Sequence, residues 1–268
     1  MSDLAAPQKA KMVIAPFDNN TDREIDEFAR RSLDASGVLM SGINYLSGMV
    51  ENAMDALPGD AKRMIEQTTT AALEACYAAA SSVSEATYAP DMGAFGHKIA
   101  VMASGAAGGS TGLPSTVVEL PVTISIMFAS VQKIARSYGF DPTSEEIRME
   151  CIEVLGSGGP LKDDNSVDIS FLASKVMVTG TSVHALIARV APQLAVLMGQ
   201  KLGAQAIPVV GAATGATVNY AFLSYFEEMA HVRFGLRKLA ELHGLEPVAL
   251  AYKTAVQARK NAKRKGSV

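Results

Sequence analysis

The apolar positions between residues 119 and 156 recur with the period of two α-helices separated by a short turn. The first helix is predicted to begin near Glu119. Pro121 then falls in its first turn, where a proline is tolerated because its missing N–H would have no intrahelical partner. Gly139 is a favourable residue for the end of this helix. The apolar residues of its inner face follow at spacings of three and four: Ile124, Met127, Val131, Ile134 and Tyr138.

The second helix of this pair is predicted to begin at Asp141 and Pro142 and to end at the glycines that follow Leu155. Thr143 and Glu146 have the spacing of a capping box at the start of a helix. One apolar stripe follows at helical spacing: Ile147, Cys151, Val154 and Leu155. The pair of helices indicates a fold, and it indicates no reaction.

The N-terminal half is predicted to contain two further helices. A capping box at Thr21 and Glu24 begins the first, which extends to about residue 57. Its glycines each weaken the helix by up to about 1 kcal/mol relative to alanine, or they let another helix approach closely. These glycines are Gly37, Gly42 and Gly48. The second helix runs from about residue 60 to 87. Its expected inner face comprises Met64, Leu73, Cys76 and Val83.

Two stretches carry no charge over a length that is relevant to membranes. Residues 99–118 are long enough to span a bilayer in principle, but the glycines within 105–112 and Pro114 argue against a regular membrane helix. Residues 202–226 admit two interpretations, a helix buried at the centre of a bundle or a segment that inserts into a membrane. We expect the central helix over 207–226, with a continuation past its acidic pair into a longer helix.

The pattern as a whole predicts an all-α protein, a single domain of seven to nine helices around the apolar helix 207–226. No segment alternates apolar and polar residues in the manner of a β-strand. We expect a flexible N-terminal segment over residues 1–20, the helical domain over 21–258 and a basic C-terminal tail over 259–268. The last helix is predicted over about residues 247–260.

The composition of the 268 residues argues against some classes of function. The formal net charge is −3, which argues against a general nucleic-acid-binding protein. Residues 1–11 lack the apolar core of a signal peptide. Cys76 and Cys151 lie on predicted apolar helix faces, so we expect buried free thiols in a reducing compartment.

Glu119 is the only charged residue between Ile99 and Gln132. One interpretation makes it a general base or, together with His97, a metal ligand. The other interpretation makes it an acid at a helix N-terminus, where the helix dipole favours negative charge. His231 is a further catalytic candidate. The histidines have no metal-binding spacing, so neither a metal site nor a cofactor is predicted.

Two groups of residues indicate helix packing or membrane contact. Gly211, Gly215 and Ala216 allow another helix to approach closely, within a membrane or outside one. Asn219 is expected to hydrogen-bond a backbone group or Glu119, because an unsatisfied buried amide costs on the order of 1–3 kcal/mol. The second group is basic and is expected to contact anionic lipid: Lys253, Arg259, Lys260, Lys263, Arg264 and Lys265.

Three groups of residues, in order along the chain, resemble the EcsC protein family. The first comprises residues 119–123, 134–136, 138–139 and 150–155. The second comprises Gly211, Gly215, Ala216 and Asn219. The third comprises Met229, Ala230, Phe234, Arg237 and Leu239. The resemblance covers roughly residues 60–255. Family members usually carry a histidine just before the position of Phe234, whereas this chain has Arg233 there and His231 two residues earlier.

The resemblance implies a bacterial, cytoplasmic protein with a membrane-related role, and it implies no catalytic residues. Two classes of function stay open. The first is a non-enzymatic accessory protein that binds the inner face of the cell membrane through apolar helices and the basic tail, with anionic lipid or a membrane protein as its partner. The alternative is a metal-assisted or acid/base hydrolase centred on Glu119 and a histidine.

Overall fold

The computed structural model describes residues 17–47, 59–82, 113–156, 182–205 and 211–265. These residues form seven α-helices, and this part of the chain contains no β-strand. The helices are α1 (Asn19–Ser47), α2 (Gly59–Ser82), α3 (Leu113–Ser137), α4 (Glu145–Gly156), α5 (Val183–Gln205), α6 (Gly211–His243) and α7 (Leu245–Lys265). The prediction of an all-α single domain is confirmed.

Helix α6 lies at the centre of the bundle and packs against α1, α3, α4, α5 and α7. Its aromatic side chains Phe222, Phe226 and Phe234 are fully buried. The prediction of a central apolar helix is therefore confirmed, although residues 207–210 lie outside the described part of the chain. Gly244 ends α6 with a φ of 87°, and its N–H donates to the carbonyl of Ala240.

The buried apolar residues form two clusters that use different faces of α6. The larger cluster joins α2, α3, α4 and α5 to α6 residues that include Phe226, Ala230 and Phe234. The smaller cluster joins α1 and α7 to α6 through Val232, Leu236 and Leu239. Its other members are Ile25, Phe28, Ala29, Val248, Ala249, Tyr252 and Val256. The half-buried ring of Tyr138 packs against both clusters.

Helix α3 begins earlier than the sequence suggested. It starts at Leu113 rather than near Glu119, so the first-turn proline is Pro114 and Pro121 lies inside the helix. The interpretation of Glu119 as an acid in the first turn is accordingly wrong. The predicted inner face is confirmed, since Ile124, Met127, Val131 and Ile134 are buried. Gly139 ends the segment with a φ of 91°, as predicted.

The capping box predicted for α1 is wrong, because Asp18 caps the helix in place of Thr21. The Asp18 carboxylate accepts a hydrogen bond of 2.7 Å from the Thr21 N–H, and its carbonyl accepts one of 3.0 Å from the Asp22 N–H. The hydrogen bonds from Thr21 lower the pKa of Asp18. The predicted extension of this helix to about residue 57 lies outside the described residues.

The capping box predicted for α4 is also wrong. Ser144 caps this helix, since its hydroxyl accepts from the Ile147 N–H at 3.4 Å and its carbonyl accepts from the Arg148 N–H at 3.0 Å. The N–H and the hydroxyl of Thr143 instead donate to Asp141 at 2.9 and 2.8 Å. An aspartate that bonds the backbone two residues onward competes with helix formation, and α4 therefore begins after this turn.

The inner face of α2 is rotated relative to the prediction. Leu73 and Cys76 are buried as expected, but Met64 is 54% exposed and Ile65 is buried in its place. Val83 lies outside the described residues. Cys76 and Cys151 are both buried and both free, as predicted. Burial raises the pKa of both thiols.

Helix α7 is longer than predicted and continues to Lys265. Alanine, lysine and arginine have high helix propensity, and basic side chains in the last turn interact favourably with the helix dipole. Most of the predicted basic tail is therefore helical, whereas residues 266–268 lie outside the described part. None of the helices, searched over the described residues, combines the length and the apolar character required to cross a membrane.

Candidate functional site

The most unusual feature of the core is a set of buried charges between α4 and α6. Glu146, Glu150 and Glu153 have the spacing i, i+4 and i+7, which places them on one side of α4. Arg233 and Arg237 are four residues apart on α6 and face them. The exposed fractions of Glu150 and Arg233 are only 1% and 2%. Charged side chains are rarely this buried unless they are paired.

The charges alternate in sign along a continuous series of ion pairs. Arg189 of α5 donates to Glu153 at 2.8 Å, and Arg233 donates to Glu153 at 3.3 Å. Arg233 also donates to Glu150 at 3.1 Å. Arg237 pairs with Glu150 and donates to Glu146 at 2.9 Å. We call these six residues the buried ion-pair network after its buried members Glu153, Arg233 and Glu150; the side chains of Arg189 and Glu146, at its two ends, are 54% and 51% exposed. The six residues are Arg189, Glu153, Arg233, Glu150, Arg237 and Glu146.

The network also fixes the turn between α3 and α4. The Arg237 guanidinium lies 4.7 Å from the centre of the Phe140 ring, and this ring packs against Phe234 with 5.7 Å between ring centres. Lys238 Nζ donates to the carbonyl of Tyr138 at 3.1 Å. Gln132 donates to the carbonyl of Pro142 at 3.4 Å. These contacts hold the α3–α4 turn against the central helix.

The pairing limits what the two buried carboxylates can do chemically. Both oxygens of Glu150 accept hydrogen bonds from guanidinium groups, and so do both oxygens of Glu153. The guanidinium groups favour the ionised form of both carboxylates, which makes these carboxylates weak bases. These six side chains carry three positive and three negative charges, and Glu241 adds a fourth carboxylate 3.5 Å from Arg237 Nε. The geometry of the network fits a role in holding α4, α5 and α6 together.

The network was not predicted from the sequence. Glu150, Glu153, Arg233 and Arg237 were noted only through the family resemblance, and Glu146 only as part of a predicted capping box. The available signal was the spacing i, i+4 and i+7, which places the three acids on one side of the helix but does not distinguish a solvated face from a buried one. The partner of two of them, Arg233, lies about 80 positions away, and only the fold brings it close.

Two of the three predicted catalytic residues have side chains outside the described part of the chain, so the structure does not test whether these residues come together. Glu119 lies within α3, and its side chain is outside the described part of the chain, as is the whole of His97. His231 is described and lies on α6. Among the described residues, no group of three or more histidine, cysteine, aspartate or glutamate side chains has the arrangement of a metal site. The proposed pairing of Glu119 with a histidine stays a prediction.

His231 contacts Tyr138 at the end of α3. The Tyr138 hydroxyl lies 3.2 Å from His231 Nδ1, and the two rings pack edge to face with 5.8 Å between centres. Burial lowers the pKa of His231, with a smaller contribution from the positive charge of Arg31. Burial also raises the pKa of Tyr138. The phenol donates to Nδ1 when the neutral imidazole carries its hydrogen on Nε2, because Nδ1 is then the acceptor.

Asn219 has an exposed fraction of 0%, so its amide does not point into bulk water. The predicted partner of this amide, a backbone group or Glu119, stays a prediction. Gly211, Gly215 and Ala216 lie in the first turns of α6, where side-chain surroundings are outside the described part. The proposed close helix packing at these residues is likewise untested.

The predicted lipid-contact residues lie on α7 in two different environments. Arg259 pairs with Asp26 of α1, with Nε donating to Oδ1 at 2.7 Å, and this hydrogen bond lowers the pKa of Asp26. Lys260 is half-buried. The other four basic side chains are exposed: Lys253, Lys263, Arg264 and Lys265. Arg259 therefore contributes to the contact between α1 and α7.

The fold and the network define an all-α protein whose central helix is joined to its neighbours through buried charges. The chain belongs to the EcsC protein family, whose model matches residues 19–239. The match begins with α1 and ends within α6, so it includes all six residues of the ion-pair network and leaves out α7. No curated protein and no solved structure matches the chain.

Proposed function

We propose that this protein is a non-enzymatic accessory protein that binds the cytoplasmic face of the cell membrane, with α7 as the contact surface and anionic lipid as the ligand. The observation that carries the proposal is the charge of α7. Glu246 in its first turn is its only acid, and four basic side chains of the helix are exposed. Anionic lipids attract a basic residue near the membrane surface by about 1 kcal/mol.

We assign the membrane contact to α7 because the apolar helices α5 and α6 bury their side chains in the core. Leu186, Ile187, Val190 and Leu194 of α5 are buried in the larger cluster, as are Phe222 and Phe226 of α6. These side chains are committed to the core and do not offer an apolar surface to lipid. The interaction would then be mainly electrostatic, so salt should weaken it within about a Debye length of 8–10 Å.

The state of the buried carboxylates supports the choice of a non-enzymatic role. Each oxygen of Glu150 and Glu153 is already engaged by an arginine. A hydrolase centred on Glu119 would depend on side chains outside the described residues, and no described contact favours it.

Neutralising the exposed basic side chains should weaken binding to anionic vesicles. We expect the triple variant Lys253→Gln, Arg264→Gln, Lys265→Gln to bind vesicles of phosphatidylcholine and phosphatidylserine on the order of a hundredfold more weakly at low salt, because three residues each lose about 1 kcal/mol. The salt dependence of binding should also decrease. Co-flotation with vesicles over a salt series measures both effects.

The matched control keeps every charge: Lys253→Arg, Arg264→Lys, Lys265→Arg should float like the wild type. A wild-type protein that does not float with anionic vesicles at low salt would contradict the proposal. Equal flotation of the wild type and the neutralised variant would show that α7 is not the contact surface. Flotation of both on vesicles of phosphatidylcholine alone would indicate an apolar mode of binding instead.

A further inference from the structure

Tyr138 lies at the end of α3 and contacts α1 and α6 close to His231. Its ring packs against both hydrophobic clusters, its hydroxyl bonds His231 and its carbonyl accepts from Lys238. His231 and Lys238 are seven residues apart on α6, about two helical turns. The end of α3 is thus held to α6 at two points, and one of them contains a titratable ring.

The same part of α6 carries the charged contact with α1. Arg31 donates to Glu228 at 3.3 Å, and it also donates to Glu27 on its own helix at 3.2 Å. Glu228 and His231 have the i, i+3 spacing that makes side chains neighbours on a helix surface. The charged groups near the ring are therefore Arg31 from α1 and Glu228 from α6, while α3 contributes the Tyr138 phenol. Beside the larger effect of burial, the negative charge of Glu24 in α1 also raises the pKa of Tyr138.

We propose that His231 is an acid-sensitive switch that controls how tightly α1 packs against α6. In the tautomer that carries its hydrogen on Nε2, the neutral ring accepts a hydrogen bond from Tyr138 at Nδ1. The protonated ring has a hydrogen on both nitrogens and cannot accept that bond. Its positive charge repels Arg31 and attracts Glu228, so it competes for the carboxylate that holds Arg31. Protonation therefore weakens the link between α1 and α6.

The pH range follows from the direction of the pKa shift. The pKa of His231 in the folded protein lies below the ordinary value of 6.5, mainly because the ring is partly buried. In the unfolded or locally opened state the ring takes up its proton near the ordinary value. The stability of the α1 contact is therefore full above about pH 6.5 and is lost as the pH falls from there towards the pKa of the folded state.

Hydrogen exchange on the full chain tests this switch. We expect the protection of α1 backbone amides, corrected for intrinsic exchange, to fall as the pH is lowered from about 7.5 to 5.5. The expected loss is about tenfold for each unit by which the pKa of His231 lies below its ordinary value. Helix α2 is the internal reference, because the helices that pack most closely against α6 are α1, α3, α4, α5 and α7. His231→Gln, which keeps an acceptor without titrating, should abolish the loss.

His243 requires its own control, since it also contacts the beginning of α1. Its Nε2 lies 3.4 Å from the Thr21 hydroxyl, and its ring packs against Phe17. His243→Gln should leave the pH-dependent loss in α1 intact. A loss that persists in His231→Gln, or one that disappears only in His243→Gln, would overturn the proposal.

Tyr138→Phe gives a second readout that does not depend on removing His231. The phenol donates to the neutral ring, so its loss removes a contact that favours the neutral form. We expect the pKa of His231, followed by the imidazole signals in nuclear magnetic resonance, to rise in this variant. The pH at which α1 has lost half of its pH-dependent protection should rise together with this pKa. An unchanged pH of half-loss would also overturn the proposal.

Discussion

Replacing Arg233 with methionine is expected to lower the free energy of unfolding by about 3–5 kcal/mol, because the change removes a guanidinium that pairs with two buried carboxylates and leaves them with one positive charge fewer. Arg233 binds both Glu150 and Glu153, and all three side chains are buried. Methionine fills much of the same volume but carries no charge and donates no hydrogen bond. Urea denaturation followed by far-ultraviolet circular dichroism measures the difference from the wild type.

Glu146→Gln is the matched control for this variant. Glu146 belongs to the same network, but its side chain is 51% exposed. Exposed ion pairs contribute about 0–1 kcal/mol to the free energy of unfolding, so this substitution should lower it only slightly. If Arg233→Met were no more destabilising than Glu146→Gln, the buried charges would not be important for the stability of the core.

The second large effect is expected at Gly235, where α1 and α6 approach closely. A Cβ atom at this position would lie 2.1 Å from the ring of Phe28. Gly235→Ala should therefore force the ring or α1 to move, at a cost of about 1–3 kcal/mol. We expect this cost to exceed the gain of up to about 1 kcal/mol in helix propensity. Denaturation measures the net loss, and hydrogen exchange should locate it in α1.

Gly37→Ala provides the control because Gly37 is an exposed residue of α1, and a Cβ atom there would have nothing within 4 Å. This change should stabilise the protein by up to about 1 kcal/mol through helix propensity alone. Adding Phe28→Leu to Gly235→Ala should recover part of the loss by making space. Equal stabilisation by Gly37→Ala and Gly235→Ala would contradict the close contact at Phe28.

The apolar periodicity predicted the helix pair α3 and α4 because burial depends directly on the spacing of apolar residues. Helix starts were predicted less well, because local rules often fit two neighbouring positions. Pro114 and Pro121 both satisfy the first-turn rule, and the structure uses Pro114. In the same way, Asp18 and Thr21 are both good capping residues, and the backbone hydrogen bonds select Asp18.

The buried ion-pair network could not be predicted from local sequence patterns. The sequence indicated one apolar stripe in α4, formed by Ile147, Cys151, Val154 and Leu155, and gave no partner for the acids of this helix. The helix is enclosed by α3, α5 and α6, so both Glu150 and Glu153 are buried as well. Their charges are tolerated because arginines of α5 and α6 lie opposite them. That contact is a property of the tertiary fold.

The basic tail was predicted from its charge alone, and the structure divides its residues by environment. Arg259 lies on the inner side of α7 and pairs with Asp26, which the charge pattern did not indicate. Lys253, Arg264 and Lys265 are exposed. Helical periodicity explains the division, because α7 buries Val248, Tyr252 and Val256 against α1 and α6.

The most direct test of the central claim, that the buried charges of α4 and α6 stabilise one another as a network, is a double-mutant cycle between Arg233 and Glu150. The variants are Arg233→Met, Glu150→Gln and their combination. The combined variant keeps two balanced pairs, Arg189 with Glu153 and Arg237 with Glu146. We predict that its loss of stability is smaller than the sum of the two single losses by about 0.5–3 kcal/mol. Two losses that simply add would contradict the claim.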